Sequence, residues 1–146
     1  MDTNTSVKDK KILIVDDEKT TREILARALS AKGFLIRSVA NGEDALDAIE
    51  EEPFDLMITD LLMPNMEGND LIEKTQHIQP DLIPIVITAH ATIETAVKAL
   101  QQGAYDYITT PFDQEVIIPV IERGLEKAHL RRQNMELTQI TKKLQE

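Results

Sequence analysis

The stretch Ile58-Thr59-Asp60-Leu61-Leu62-Met63-Pro64 decides the fold, because an apolar run ends there in a single acid. The run begins at Phe54, and Pro64 prevents the strand from continuing. A strand buried on both faces of a parallel sheet is apolar throughout, and open α/β sheets place their chemistry at the carboxyl ends of such strands. The pattern therefore places Asp60 at the rim of a sheet. The alternative is a loop aspartate that caps the next helix.

The rest of the chain alternates between short apolar runs and segments in which apolar residues recur at helical spacing. Gly or Pro follows most of the helical segments, as is typical of helix ends. The last helical pattern starts near Asp113, contains Pro119, which should remove a hydrogen bond or kink the helix, and has no clear end before Glu146. Five strand–helix alternations predict an α/β fold: a doubly wound, five-stranded parallel sheet with helices on both faces and a long C-terminal helix. The predicted strands cover residues 11–15, 34–39, 54–59, 83–88 and 104–109.

The composition is that of one globular domain. The chain has 146 residues, of which 42% are hydrophobic and 29% charged. Its formal net charge of -10 argues against a nucleic-acid surface, because phosphate contacts need clustered Lys and Arg. The absence of Cys excludes disulfides and thiolate metal sites. Since the sequence contains neither an apolar signal core nor an apolar run of membrane-spanning length, we expect a cytoplasmic location and no membrane partner.

Acids and hydroxyls follow the predicted strands. Because parallel strands share one carboxyl edge, Asp16, Asp17 and Asp60 should meet there, together with the hydroxyls of Thr88 and Thr110. Three converging carboxylates repel one another unless a cation lies between them, and oxygen ligands favour Mg²⁺ or Mn²⁺. A carboxylate beside Mg²⁺ can act as a nucleophile toward phosphorus. The alternative is that the acid pair only caps the first helix.

Four sequence motifs resemble the landmarks of the response-regulator receiver domain. They are Ile-Val-Asp-Asp-Glu (14–18), Thr-Asp-Leu-Leu-Met-Pro (59–64), Ile-Thr-Ala-His (87–90) and Gly-Ala-Tyr-Asp-Tyr-Ile-Thr-Thr-Pro-Phe (103–112). The resemblance covers residues 10–127. We expect residues 1–9 to form a flexible arm and residues 128–146 a helical linker. The sequences Thr-Ala-His-Ala-Thr (88–92) and Gly-Ala-Tyr-Asp-Tyr (103–107) resemble those of receivers at the front of bacterial enhancer-binding transcription activators. In those proteins a C-terminal helix leads to an output domain.

The resemblance implies a signalling module of a two-component phosphorelay rather than an enzyme. Asp60 would accept a phosphoryl group from the phosphohistidine of a sensor kinase or phosphotransfer protein. Asp17, Asp60 and the main-chain carbonyl of Leu62 would bind Mg²⁺, with Asp16 acting through water. Thr88 would then move toward the phosphoryl oxygens.

Tyr107 is implied as the aromatic switch, which would turn inward behind Thr88. The surface that changes would be formed by the fourth helix, the fifth strand and the fifth helix. The alternative for Tyr107 is an ordinary half-buried strand tyrosine. His90 would line the loop beside the site, whereas His77 and His129 have the pattern of solvated helix residues.

Thr110 departs from the family pattern, which has Lys immediately before Pro111. Thr has a hydroxyl and no charge, so it cannot replace the ion pair that this Lys makes. One hypothesis is that Asp60 still binds Mg²⁺ but phosphorylation couples poorly to the switch. The alternative is a pseudo-receiver, an interaction module that works without phosphate.

A remote alternative is a Mg²⁺-dependent phosphohydrolase of the haloacid-dehalogenase type. That class has a second Asp two residues after the nucleophile. Leu62 stands in that place after Asp60, and Glu18 stands there after Asp16.

The tail carries Leu130, Leu137 and Leu144 at intervals of seven residues. This seam is about two heptads long, shorter than the three to four that indicate a coiled coil. A solvated helical extension is the alternative. We expect a homodimer, formed either through this helix or through the face made by the fourth helix, fifth strand and fifth helix. The sequence contains neither a Gly-rich phosphate loop nor a DNA-reading helix pair, so direct contact with nucleic acid is not expected.

Overall fold

The structure, a computed structural model, describes residues 9–89 and 91–145, and it describes side chains as far as residue 137. Strands and helices alternate along these residues. They are β1 (Lys11–Val15), α1 (Lys19–Ser30), β2 (Leu35–Val39), α2 (Gly42–Glu51), β3 (Leu56–Thr59), α3 (Gly68–Ile78), β4 (Ile83–Thr88), α4 (Ile93–Gln101), β5 (Asp106–Thr109) and α5 (Gln114–Gln145).

All five strands are parallel, and their order in the sheet is β2-β1-β3-β4-β5. The chain first winds from β1 outward to β2 and then continues on the other side of β1. The strand order therefore reverses between β1 and β3, and the crevice at such a reversal lies at the carboxyl ends of the strands. This topology confirms the predicted doubly wound sheet.

Alternation along the central strands divides the core into two layers. Ile12 and Ile14 of β1 face α1 and α5, whereas Leu13 and Val15 face α2, α3 and α4. The residues of β3 and β4 alternate between the same two layers. Helices therefore cover both faces of the sheet, which is why its central strands are apolar throughout.

The predicted starts of β2, β3 and β5 were wrong by one or two residues. At Phe54, for example, the N–H donates to Oε1 of Gln79 at 3.1 Å and the carbonyl accepts from Nε2 of the same side chain at 2.6 Å. The amide of Gln79 takes the place of a neighbouring strand there. Phe54 is still buried in the core, so its apolar character reflects burial rather than strand pairing.

α5 continues across Pro119 without a break. Proline has no N–H, so one bond of the helix ladder is lost there, as the sequence predicts. Residues 1–8 of the predicted arm and residue 144 of the predicted seam lie outside the described side chains, and the boundaries at residues 9 and 127 stay predictions. Among the helices that the structure describes, none has both the length and the apolar character needed to cross a membrane.

Candidate functional site

The register of the sheet brings the two strand-end acids together. Val15 of β1 pairs with Thr59 of β3, so Asp16 and Asp60, which follow them, emerge side by side. The N–H of Asp60 donates to the carbonyl of Val15 at 3.1 Å. Carboxylate oxygens of Asp16, Asp17 and Asp60 all lie within 4.8 Å of one another. The predicted convergence of these three acids is therefore present.

Each strand-end acid also stabilises its own loop. Oδ1 of Asp16 accepts the N–H of Glu18 at 2.8 Å, and Oδ1 of Asp60 accepts the N–H of Leu61 at 2.7 Å. Glu18 is the N-cap of α1 and makes no side-chain cap bond, so Asp16 shapes the turn before that helix. The capping alternative is thus partly right for Asp16, but it does not account for Asp16 also facing Asp60.

Asp16 lies in an unfavourable electrostatic position. Only 6% of the residue is exposed. The pKa of Asp16 is raised to about 6, most strongly by burial and then by the negative charges of Asp60, Asp17 and Glu18, although the hydrogen bond from Glu18 N–H lowers it. At neutral pH the site therefore holds concentrated negative charge, which a divalent cation would stabilise.

A cleft of about 70 Å³ opens beside Asp60. Thr88, the last residue of β4, is buried at its edge, and the N–H of Thr110 donates to the carbonyl of Thr88 at 3.0 Å. The structure thus brings both predicted threonines to the acids. Among the described residues that line this cleft, none carries a positive charge; they are Asp16, Glu18, Thr21, Asp60, Ile87, Thr88, Ala89 and Thr110.

Tyr107 is half-buried on β5, and its hydroxyl lies 2.9 Å from Oγ1 of Thr95. Thr95 and Thr92 also form the capping box of α4, in which each side chain bonds to the backbone of the other residue. The tyrosine is therefore tied to the first turn of α4. Its role as a switch stays a prediction.

Sequence reasoning missed three residues that shape this region. Arg22 contacts the backbone of the acid pair, Thr95 contacts Tyr107, and Gly68 permits α3 to approach the acid loop. A Cβ at Gly68 would lie 2.2 Å from the carbonyl oxygen of Asp60, so only glycine fits there. Thr92 directly before α4 was a readable N-cap signal, whereas the contacts of Thr95 with Tyr107 and of Arg22 with the acid loop depend on tertiary geometry.

The remaining predicted residues lie outside the cleft or outside the described part. Lys19, the nearest basic residue in sequence to the acid pair, pairs with Glu23 along α1 at 3.9 Å. His77 and His129 are exposed, which confirms that they are solvated. Residue 90 lies outside the described residues. Leu62 lies in the loop after Asp60 with an exposed side chain, and its carbonyl as a metal ligand stays a prediction.

The donor set fits a hard divalent cation. Three carboxylates within 4.8 Å of one another supply oxygen ligands only, and such sites suit Mg²⁺ better than metals that prefer nitrogen or sulfur. A larger cleft of about 550 Å³ lies at the opposite, amino edge of the sheet, where Lys11, Asp55 and Arg132 are among its lining residues. Three of its acids, Glu52, Asp55 and Asp81, pair with Lys11 or Arg132, so the carboxyl edge is the better candidate.

Residues 12–122 match the response regulator receiver domain. The transcriptional regulator NtrC of Proteus hauseri is 37% identical over 122 residues, which are 84% of this chain and 25% of that protein. NtrC of Azospirillum brasilense is 40% identical over 114 residues, which are 78% of this chain and 24% of that protein. The chain thus spans about a quarter of the length of these curated relatives.

Solved structures give the same result. NtrX of Brucella abortus, solved in complex with ADP, has a TM-score of 0.83 and 35% identity and covers 88% of this chain and 30% of that one. The beryllofluoride-activated NtrC4 receiver domain dimer has a TM-score of 0.78 and 31% identity and covers 81% of this chain and 98% of that one. The chain therefore belongs to the family of response regulator receiver domains, the signalling modules of two-component systems.

Proposed function

We propose that Asp60 accepts a phosphoryl group from the phosphohistidine of a sensor kinase or phosphotransfer protein, and that this switches an output or dimer surface. The observation that carries the proposal is the convergence of Asp16, Asp17 and Asp60 within 4.8 Å beside the cleft that Thr88 lines. Such an approach is unfavourable for acids without a shared ligand, because nearby like charges disfavour the ionised form of each carboxyl group.

Asp60 supplies the nucleophile. One carboxylate oxygen attacks phosphorus and forms the new oxygen–phosphorus bond of an acyl phosphate, while the phosphorus–nitrogen bond breaks and leaves its electron pair on the imidazole. Asp17, Asp60 and the carbonyl of Leu62 would hold Mg²⁺ directly, with Asp16 acting through water. Bound Mg²⁺ neutralises negative charge on the transferring group.

The threonines would complete the response. Thr88 has a hydroxyl at the edge of the cleft, suited to bond a phosphoryl oxygen. Thr110 lines the same cleft but offers no positive charge. We therefore expect Asp60 to be phosphorylated, with weaker coupling to Thr88 and Tyr107 than a lysine at position 110 would give.

Exposed apolar residues indicate two candidate surfaces for binding a partner. Ile93, Val97 and Leu100 form an apolar stripe on α4, and Ile93 is 85% exposed. On the tail, Leu130 and Leu137 are exposed as well. Either surface can form the proposed homodimer, since exposed apolar stripes mark interaction sites. The cytoplasmic location expected from the sequence stays a prediction.

The phosphohydrolase alternative is not favoured. That chemistry needs an acid two residues after the nucleophile, and the exposed Leu62 occupies that place. The pseudo-receiver alternative rests on Thr110 alone and predicts that Asp60 is not phosphorylated at all.

Intact mass spectrometry after incubation with Mg²⁺ and acetyl phosphate tests the proposal. We expect the mass of one phosphoryl group to be added, and the addition to be lost in Asp60→Asn and after chelation of Mg²⁺. Asp70→Asn, which changes an exposed acid in the first turn of α3, is the matched control and should be phosphorylated normally. No addition to the wild-type protein would contradict the proposal and favour the pseudo-receiver.

A further inference from the structure

Arg22 contacts the backbone between the two adjacent acids. It lies in the first turns of α1 and is half-buried, and its Nη1 donates to the carbonyl oxygen of Asp16 at 2.7 Å. That carbonyl belongs to the peptide group that joins Asp16 to Asp17. A hydrogen bond from a guanidinium is charge-assisted and is stronger than one between neutral groups.

The orientation of this peptide group controls where both carboxylates point. A peptide group is planar, so holding its carbonyl in one direction constrains ψ of Asp16 and φ of Asp17. These two angles set the directions in which the side chains of Asp16 and Asp17 leave the backbone. The carboxylates reach within 4.8 Å of each other and of Asp60 only if both side chains leave in suitable directions.

The rest of the loop is held by other contacts. The N–H of Asp16 donates to the carbonyl of Val39 at 3.2 Å, and the N–H of Glu18 donates to Oδ1 of Asp16 at 2.8 Å. Neither bond involves the carbonyl between the acids. The backbone N–H of Arg22 donates to the carbonyl of Glu18 at 3.1 Å, so Arg22 joins this loop to the start of α1 by main chain and side chain.

We propose that Arg22 is a positioning residue, which orients the peptide group between Asp16 and Asp17 so that both carboxylates face Asp60 in a geometry that binds Mg²⁺. The inference rests on the proposed function, since it concerns the same site. Arg22 acts through the backbone and not as a ligand. Arg22 is also not among the described residues that line the cleft beside Asp60, so it does not take the place of the lysine expected at position 110.

Calorimetric titration with Mg²⁺ tests the positioning role without phosphorylation. We expect Arg22→Gln to weaken Mg²⁺ binding by about ten- to a hundredfold, the range typical of residues that orient metal ligands. Arg22→Lys keeps a charged donor and should lose less. Arg27→Gln changes an exposed arginine in the last turn of the same helix and should bind Mg²⁺ as the wild type does.

Two further readouts separate positioning from loss of folding or of charge. In the metal-free protein, the backbone amide resonance of Asp17 should move in Arg22→Gln but not in Arg27→Gln, while the melting temperatures of the two variants stay similar. Removal of a positive charge near three carboxylates would by itself strengthen Mg²⁺ binding, so weaker binding in Arg22→Gln cannot come from the lost charge.

The outcomes are distinct. Wild-type or tighter Mg²⁺ binding in Arg22→Gln would overturn the positioning role while leaving the proposed function intact. Failure of the wild-type protein itself to bind Mg²⁺ would overturn the proposed function, and this inference with it.

Discussion

At the residue scale, burial makes the charged form of Asp16 costly to the folded protein. Its pKa is raised from 3.8 to about 6, mainly by burial. A folded state with a raised carboxyl pKa binds more protons than the unfolded chain between these two values, so its stability falls as the pH rises through that window. At neutral pH the cost amounts to about 1–3 kcal/mol.

Replacement of Asp16 by Asn removes this charge and keeps an oxygen that can accept the N–H of Glu18. We expect Asp16→Asn to raise the free energy of unfolding of the metal-free protein by about 1–3 kcal/mol at pH 7.5 and to change it little near pH 4. Urea unfolding at both pH values measures this difference. Asp70→Asn, at an exposed position, should have little effect at either pH. An equal gain in Asp16→Asn at the two pH values would contradict the burial argument.

A second prediction at this scale concerns Thr110. Its N–H bonds to the carbonyl of Thr88 and its residue lines the cleft, so a lysine there would reach the acids. We expect Thr110→Lys to increase the rate of phosphorylation or to favour the switched conformation. The free-energy change should be at most about 1.5–3 kcal/mol, the contribution of a hydrogen bond to a charged group. The rate of mass gain with acetyl phosphate and the NMR spectrum of the phosphorylated protein measure the two effects.

Thr109→Lys is the matched control, because Thr109 is exposed and does not line the cleft. It should behave as the wild type. If Thr110→Lys changed neither phosphorylation nor the response, the assigned role of the missing lysine would be wrong.

At the element scale, a hydroxyl of α4 bonds to Tyr107, the predicted switch. Oγ1 of Thr95 lies 2.9 Å from the hydroxyl of Tyr107, and the same threonine closes the capping box with Thr92. We expect Thr95→Val to free Tyr107 to turn inward, so that its ring resonances in the unphosphorylated protein move toward those of the phosphorylated protein. NMR of the Tyr107 ring measures this shift.

Thr92→Val separates the two roles of the capping box. It removes the side-chain cap of α4, at a cost of about 1 kcal/mol, while Thr95 keeps its hydroxyl and its contact with Tyr107. The Tyr107 resonances should then stay close to those of the wild type. Unchanged resonances in Thr95→Val would show that this bond does not hold the tyrosine.

Arg132 of α5 attaches the helix to the amino edge of the sheet, opposite the edge that carries Asp16, Asp17 and Asp60. Nη1 of Arg132 lies 2.7 Å from Oδ1 of Asp55, and its Nε donates to Asp81. Both acids lie beside the amino ends of strands β3 and β4. The last buried residue of α5 among those described is Ala128, so this ion pair fixes the helix one turn beyond its hydrophobic contact. The tail therefore leaves the domain in a defined direction.

At the scale of the whole molecule, two exposed apolar surfaces compete as the dimer interface. Val97 is an exposed residue of the α4 stripe, and Leu137 is an exposed residue of the tail. Burial of a charge in an interface is unfavourable, so a glutamate weakens only the dimer that uses its surface. We expect the wild-type protein to dimerise. Val97→Glu should abolish the dimer if α4 forms the interface, and Leu137→Glu should abolish it if the tail does.

Sedimentation velocity, with and without Mg²⁺ and acetyl phosphate, identifies the interface. Lys74→Glu serves as a control for added negative charge, because it is exposed on α3, which belongs to neither candidate interface. A wild-type protein that stays monomeric under both conditions would contradict the expected homodimer.

Local patterns were sufficient to predict the architecture. Apolar runs buried on both faces, helical periodicity and Gly or Pro stops are properties of neighbouring residues, and five such units allow few topologies. The same patterns placed Asp16, Asp60 and Thr88 at strand ends, and parallel strands necessarily share one edge. For that reason the convergence of the acids was predictable. The start of β3 at Leu56 rather than Phe54 was not, because the backbone of Phe54 bonds to the side chain of Gln79 instead of a neighbouring strand.

Tertiary packing alone determined how those residues are held. The pKa of Asp16 depends on the volume of protein around it and on acids from another strand. The contact of Arg22 with the acid loop, the bond between Thr95 and Tyr107 and the attachment of Arg132 to Asp55 join side chains whose reach and direction follow from the assembled backbone. Sequence periodicity records which face a residue occupies, but hydrogen bonds require distances within a few tenths of an ångström, and only the folded chain sets these.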